Sequence, residues 1–300
     1  MKKTKEILSK QLNTNRDKNL LFYKLEEVLS IDPDFIRGIT EIKNSKTGNY
    51  SREDIDALVE HTVDELLRKI YNINQFVQIT EGDIKEVKGV YLETWEIIKN
   101  SDNVEDTIYK YHYPRLSLWL SKFYPPEINE IIKNQKTINK VTCEQYSPEF
   151  QISILRLDIK NLLGPIIDVG CGEHGNLVRK LREYGCDIIG IDRSIHDPED
   201  YLLKTDWFSY DFTEETWGTV ISNAAFSNHV IYSSNYDLNV YELYLEKYHE
   251  ILKSIKPGGD FIYAPGLPLI EEHLDKNKYE VTKYAVTDEY YLSKIKKKVV

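Results

Sequence analysis

The chain has 300 residues, 41% of them hydrophobic and 29% charged, with a formal net charge of -10. That composition belongs to a globular protein long enough for two modest domains. The acidic balance argues against nucleic acid as the main partner, since phosphate binding needs a basic face, and no apolar run can span a bilayer.

The N-terminal stretch MKKTKEILSKQL is basic but lacks the apolar segment of a secretion signal, so a cytoplasmic location is expected. Cys143, Cys171 and Cys186 fit no C-x-x-C pattern, which suits free thiols in a reducing compartment. The 22 tyrosines are scattered among Lys, Ile and Asn and read as compositional bias.

From the N-terminus to about residue 139 the pattern predicts an all-helical domain. The clearest helix is YSREDIDALVEHTVDELLRKIYNI, where Ser51 is a cap and Ile55, Leu58, Val59, Val63, Leu66, Leu67 and Ile70 form one apolar stripe. Further helices are predicted over 18–29, 33–43, 83–99, 103–112 and 127–134, with Pro33 and Pro126 in first-turn positions. His112 to Pro126 is aromatic-rich and reads as core or as a substrate wall.

From residue 140 to 300 short apolar runs alternate with helical ones. GPIIDV, CDIIGID, YLLKTD, WGTVISN and DFIYAP read as strands, and a turn at Lys256 to Gly259 is expected before the last of them. GNLVRKLREYG and NVYELYLEKYHEILKS read as helices, and residues 279–297 as a terminal antiparallel strand pair. The alternation predicts an α/β domain with a mostly parallel sheet, helices on both faces and ligands at the carboxyl ends of the strands.

The first of these strands runs into a literal G-x-G-x-x-G at Gly170, Gly172 and Gly175, a spacing shared with dinucleotide-binding loops. Charge separates the possible ligands. Asp168 ends the strand, and its carboxylate would repel a pyrophosphate but favour a cation such as an α-ammonium group. S-adenosylmethionine carries that group and no phosphate. Asp192, at the end of the second strand, suits the ribose hydroxyls of either NAD or S-adenosylmethionine.

IIDVGCGEHG, IIGID, TDWFSYDF, VISNAAFSNHV and ILKSIKPGGDFIYAPG occur in that order. Together they resemble the class I S-adenosylmethionine-dependent methyltransferases over residues 141–300. The resemblance implies a Rossmann-like sheet of seven strands with the last inserted antiparallel. It also implies that Asp168, Gly170, Cys171 and Gly172 surround the methionine moiety, that Asp192 holds the ribose, and that Asp206 with Trp207 recognises and covers adenine. Ser222 and Asn223 then stand beside the reacting sulfonium. Three departures stand out: His174 occupies a frequent glycine position, the segment between Asp192 and Asp206 is short enough to abbreviate its helix, and no Asn-Pro-Pro-Tyr follows the fourth strand. The last argues against methylation of nucleobase amino groups.

Methyl transfer from a sulfonium depends mainly on holding the nucleophile in line, and needs a base only where the nucleophile must lose a proton. His229 is the first candidate base, its alternative being a packing or capping role on the following helix. His174 is the second, its alternative being to shape the loop. Tyr146 and Gln151, in CEQYSPEFQ, are candidates for contact with substrate or cofactor, or for packing. No cluster has metal-ligand spacing. The expectation is a methyltransferase acting on a small molecule, ahead of a protein and then RNA, with the helical domain as substrate cover or docking module. The alternatives are a non-catalytic protein that holds S-adenosylmethionine or S-adenosylhomocysteine, and an NAD-dependent oxidoreductase.

Overall fold

The computed structural model describes residues 2–15, 25, 29–44, 50–73, 76–123, 146–286 and 291–299. The chain forms two compact units, Met1–Val141 and Thr142–Val300. The expected helix 127–134, Pro126, Cys143 and most of the expected helix 18–29 lie outside the described residues.

In the first unit the helices are α1 (Lys2–Thr14), α2 (Pro33–Asn44), α3 (Arg52–Ile73), α4 (Glu81–Asn100), α5 (Val104–Thr107) and α6 (Tyr113–Leu120). α1 was not anticipated from its basic, weakly periodic sequence. Ser51 begins α3 as expected: its Oγ accepts from Asp54 N at 3.1 Å, and the Asp54 carboxylate accepts from Ser51 N at 3.1 Å. Of the predicted stripe, Leu58, Val63, Leu66, Leu67 and Ile70 are buried. The single helix expected over 103–112 instead continues to Leu120 through a π-helical turn, Ile108–His112. Pro114 comes two residues after the end of that turn. It brings no N–H and crowds the preceding carbonyls, and the wider π spacing accommodates both effects.

The second unit is an α/β domain. After α7 (Pro148–Ile154) come β1 (Ile166–Val169), α8 (Asn176–Glu183), β2 (Ile188–Asp192), β3 (Leu202–Lys204), β4 (Trp217–Asn223), α9 (Phe226–Tyr236), α10 (Leu238–Ser254), β5 (Ile255–Ala264), α11 (Pro268–Glu271), β6 (Tyr279–Ala285) and β7 (Tyr291–Lys297). The sheet order is β3-β2-β1-β4-β5-β7-β6, with β1 to β5 parallel and β7 antiparallel to both its neighbours. This is the seven-stranded Rossmann-like fold expected from the sequence. Successive β1 residues serve opposite faces. Ile167 and Val169 pack with Tyr248 and Phe261, whereas Ile166 packs with Leu177, Leu181 and Ile188. Both faces are therefore covered, which is why β1 and β4 lack the apolar–polar alternation of a half-exposed strand.

Two local expectations are corrected. Lys256 to Gly259 do not precede the fifth strand but form an irregularity inside it: Trp217 pairs with Ile255, and Thr219 already pairs with Asp260. Between Asp192 and Asp206 the expected short helix is replaced by turns and an isolated bridge, Glu199 to Leu202.

The far side of the sheet is fastened by Glu271. Its enclosed carboxylate accepts from Tyr263 Oη at 2.8 Å, Leu267 N at 2.7 Å, Tyr291 Oη at 2.8 Å and the Ser293 hydroxyl, with Lys283 Nζ at 3.0 Å. One side chain thus joins β5, β6 and β7.

Candidate functional site

The parallel strands end along one edge. β1 lies between β2 and β4, and the chain leaves it first in one direction and then in the other, so a crevice opens beyond the end of β1. Register sets the residues at its mouth: Asp168 pairs with Gly190 and Ile221, Asp192 with Lys204, and Asn223 with Ala264.

The loop after β1 turns on left-handed glycines. Gly170 has φ +80, and a Cβ there would lie 2.4 Å from Ala225 Cβ and 3.3 Å from the Trp207 ring. Gly175 has φ +56, and a Cβ there would lie 2.3 Å from Leu202. Only glycine fits at Gly170, and glycine adopts the Gly175 conformation without strain. The Asp192 carboxylate braces the same loop, accepting from Gly172 N at 3.0 Å and from Ser194 N at 2.7 Å. Cys171 is half-buried behind the loop, close to Gly190.

Asp168 is 2% exposed. Among the described residues no hydrogen bond reaches its carboxylate. Burial, with Asp192 adding like charge, pushes its pKa up from 3.8 to about 7. A buried carboxyl with no internal donor is costly to ionise alone and favourable to ionise beside a cation.

The remaining residues divide into two groups. Thr205 N donates to Asp192 O at 3.2 Å and places Asp206 at the crevice beside β2. Asp206 accepts from Phe208 N at 2.8 Å, and the Arg193 guanidinium stands 4.0 Å away. Burial raises its pKa, partly offset by these two groups. Gln151 of α7 accepts from Asn223 Nδ2 at 3.3 Å, so two predicted residues 72 positions apart meet at the end of β4. Gln151 Nε2 also donates to Tyr146 O at 3.1 Å, while the Tyr146 side chain is exposed and stacks obliquely on Phe150. His174 is exposed on the loop, its carbonyl held by Arg179 Nε at 3.0 Å.

Three predicted residues are turned into the protein. Ser222 is wholly buried; its hydroxyl donates to Val169 O at 2.8 Å and accepts from Phe226 N at 3.1 Å, tying β1 to the start of α9. Trp207, expected to cover adenine, is 7% exposed and floors the loop against Gly170. Its ring meets Phe226 and His229 edge-on, and its buried Nε1 meets no acceptor among the described residues. His229 is 4% exposed, with Nδ1 3.1 Å from Tyr244 Oη. Burial, aided by Arg193, holds it well below the usual imidazole range, so it is neutral at pH 7.

Sequence reasoning missed Arg193 and Ala224. Ala224 follows β4 with φ +50, a left-handed conformation unusual for a residue with a Cβ, and its N–H donates to Ala264 O at 2.7 Å. The signal was the small pair Ala224–Ala225 after Asn223. The structure shows its use, because Ala225 is the residue that touches Gly170.

No protein-family model matches the sequence, and no curated protein does so. Solved structures similar to part of the chain include the N-methyltransferase NodS from Bradyrhizobium japonicum WM9, at 16% identity and a TM-score of 0.36, covering 50% of this chain and 96% of that one. A possible histamine N-methyltransferase from Thermotoga maritima gives 12%, 0.30, 52% and 91% for the same quantities. The antibiotic-resistance methyltransferase Kmr gives 15%, 0.31, 54% and 96%. Among the described residues no helix is long and apolar enough to cross a membrane.

Proposed function

We propose that the second unit binds S-adenosylmethionine and transfers its methyl group to a small-molecule acceptor. The observation that carries this reading is Asp168: an enclosed carboxylate without an internal donor, at the end of β1, beside glycines that leave room for close approach. An α-ammonium group completes that site. A pyrophosphate would face the carboxylate across poorly screened space. The other residues fit the same ligand. Asp192 has lone pairs beyond those used by Gly172 and Ser194, available to ribose hydroxyls. Asp206 suits the adenine amino group, and the unpaired Trp207 Nε1–H is a donor below the loop.

When bound, the cofactor supplies a methyl group on a sulfonium whose departure leaves a neutral thioether. What this chain must add is alignment and exclusion of water. We assign alignment to Asn223 and Gln151, whose side chains meet at the end of β4. Where the acceptor is a hydroxyl, His174 is the base we favour, because it is exposed at the loop. His229, the first choice from sequence, is neutral but buried against Trp207 and Tyr244, and we read it as positioning Trp207. The helical unit is proposed as the cover or docking module. The acidic net charge of -10 and the missing nucleobase tetrapeptide support a small acceptor over a protein or RNA.

Calorimetric titration with S-adenosylhomocysteine, with NAD in parallel, tests the reading. S-adenosylhomocysteine alone should bind. Binding of NAD alone refutes the proposal, and tight cofactor binding without turnover of any acceptor would leave a non-catalytic binding protein.

A further inference from the structure

The helical unit contains a second place for a ligand. A cavity of about 160 Å³ lies among its helices, walled by Phe35, Ile39, Leu66, Trp95, Ile98 and Leu116. Protein interiors normally close such volumes, because every wall atom facing a void lacks contacts. A largely apolar pocket of this size is roomy enough for a molecule as large as benzene.

One polar group on the wall is poised for a partner. His112 closes the π-helical turn, is 7% exposed and lines the cavity. Its Nδ1 lies 3.0 Å from Thr94 Oγ1, and that hydroxyl donates its single proton to Val90 O at 2.7 Å. Toward His112 the threonine oxygen can therefore only accept, so Nδ1 carries the ring proton. Burial lowers the His112 pKa to about 4 and keeps the ring neutral. Nε2 is then a bare acceptor, and among the described residues no donor meets it. The amide side chains of Gln11 and Asn15, also on the wall, are engaged by the backbone at Ser30 and Asp32.

We propose that this cavity binds a small, neutral aromatic molecule carrying one hydroxyl or ring N–H, donated to His112 Nε2. The proposal concerns the helical unit alone and stands apart from the methyl-transfer reading.

Phenol and toluene serve as probes, being nearly equal in shape and differing in the donor. The full-length protein is titrated calorimetrically with each. Phenol should saturate one site per chain and bind about tenfold more tightly than toluene, since a site with a buried acceptor discriminates against an analogue that leaves it unpaired. In His112→Leu the order should reverse. In Ile39→Trp, whose larger ring takes up part of the cavity, both should bind more weakly while circular dichroism and binding at the second unit are unchanged. Toluene binding as tightly as phenol to the unaltered chain, or no saturable binding of either, overturns the proposal. That comparison needs no variant, so it decides the matter even if His112→Leu fails to fold.

Discussion

Replacing Asp168 by Asn should make the ligand-free protein more stable and disable cofactor binding. The exposed carboxyl ionises near 3.8 and the folded one near 7. The folded state thus holds the proton more tightly, and stability falls as pH rises from about 4 to about 7. Taken over that whole interval, the penalty reaches about 4 kcal/mol at pH 8. Relaxation of the loop will reduce it. Asn keeps the shape and cannot ionise, so Asp168→Asn should move the urea midpoint upward at pH 8 and hardly at all at pH 4. The same change deletes the charge that meets the ammonium group, and S-adenosylhomocysteine affinity should fall by about 3 kcal/mol, roughly a hundredfold in Kd. A variant that is less stable than the parent at pH 8, or that binds the ligand equally well, would refute the account of Asp168 as a buried carboxylate waiting for a cation.

Because a cation draws Asp168 toward its ionised form, binding of S-adenosylhomocysteine at pH 6 should release a proton; the enthalpy measured in buffers of different ionisation heat should differ accordingly. Asp192→Ala should weaken the same ligand by about 1–3 kcal/mol through loss of the ribose contact, and should loosen the loop it braces at Gly172. Gly170→Ala combines φ +80 with a 2.4 Å approach to Ala225 and should lower unfolding stability by about 1–3 kcal/mol, read as a fall in the urea midpoint. Glu271→Ala leaves four donors and Lys283 without their partner and should destabilise by about 3–5 kcal/mol. Burial pushes the Glu271 pKa up, but hydrogen bonds from Ser293, Leu267, Tyr263 and Tyr291 outweigh it and hold the folded value below 4.5. Its contribution should therefore be complete above pH 4.5 and vanish as pH falls through the folded pKa, which acid titration of the parent against Glu271→Gln will reveal.

The strands and the crevice were legible because buried parallel strands leave short, largely apolar runs, and glycine spacing marks a loop that must approach something closely. Asp168 was legible by its charge alone. What could not be read was the direction of individual side chains. Trp207, Ser222 and His229 occur in the right segments, yet the tertiary packing of α9 and α10 decides that they face inward. Nothing local distinguishes them from Asp206 and Asn223, which stand at the crevice. The π-helical turn before Pro114 was equally silent, since a helix that widens by one residue keeps most of its apolar stripe. α1 was missed because its helicity depends on packing against α2 and α3 more than on its own periodicity.

The placement of β7 has a consequence for biosynthesis. β7 spans Tyr291–Lys297 but lies between β5 and β6, inside the sheet. Until those residues leave the ribosome, β5 carries an open edge along Asp260 to Tyr263, and β6 has no strand to pair with. The first helical unit can be complete long before this, while the sheet closes only once β7 has been translated. A nascent chain or a premature stop shortly before Tyr291 would expose an apolar, unpaired strand, the kind of edge that recruits other chains. Molecular chaperones that shield such edges should therefore matter more for this protein than its size alone suggests.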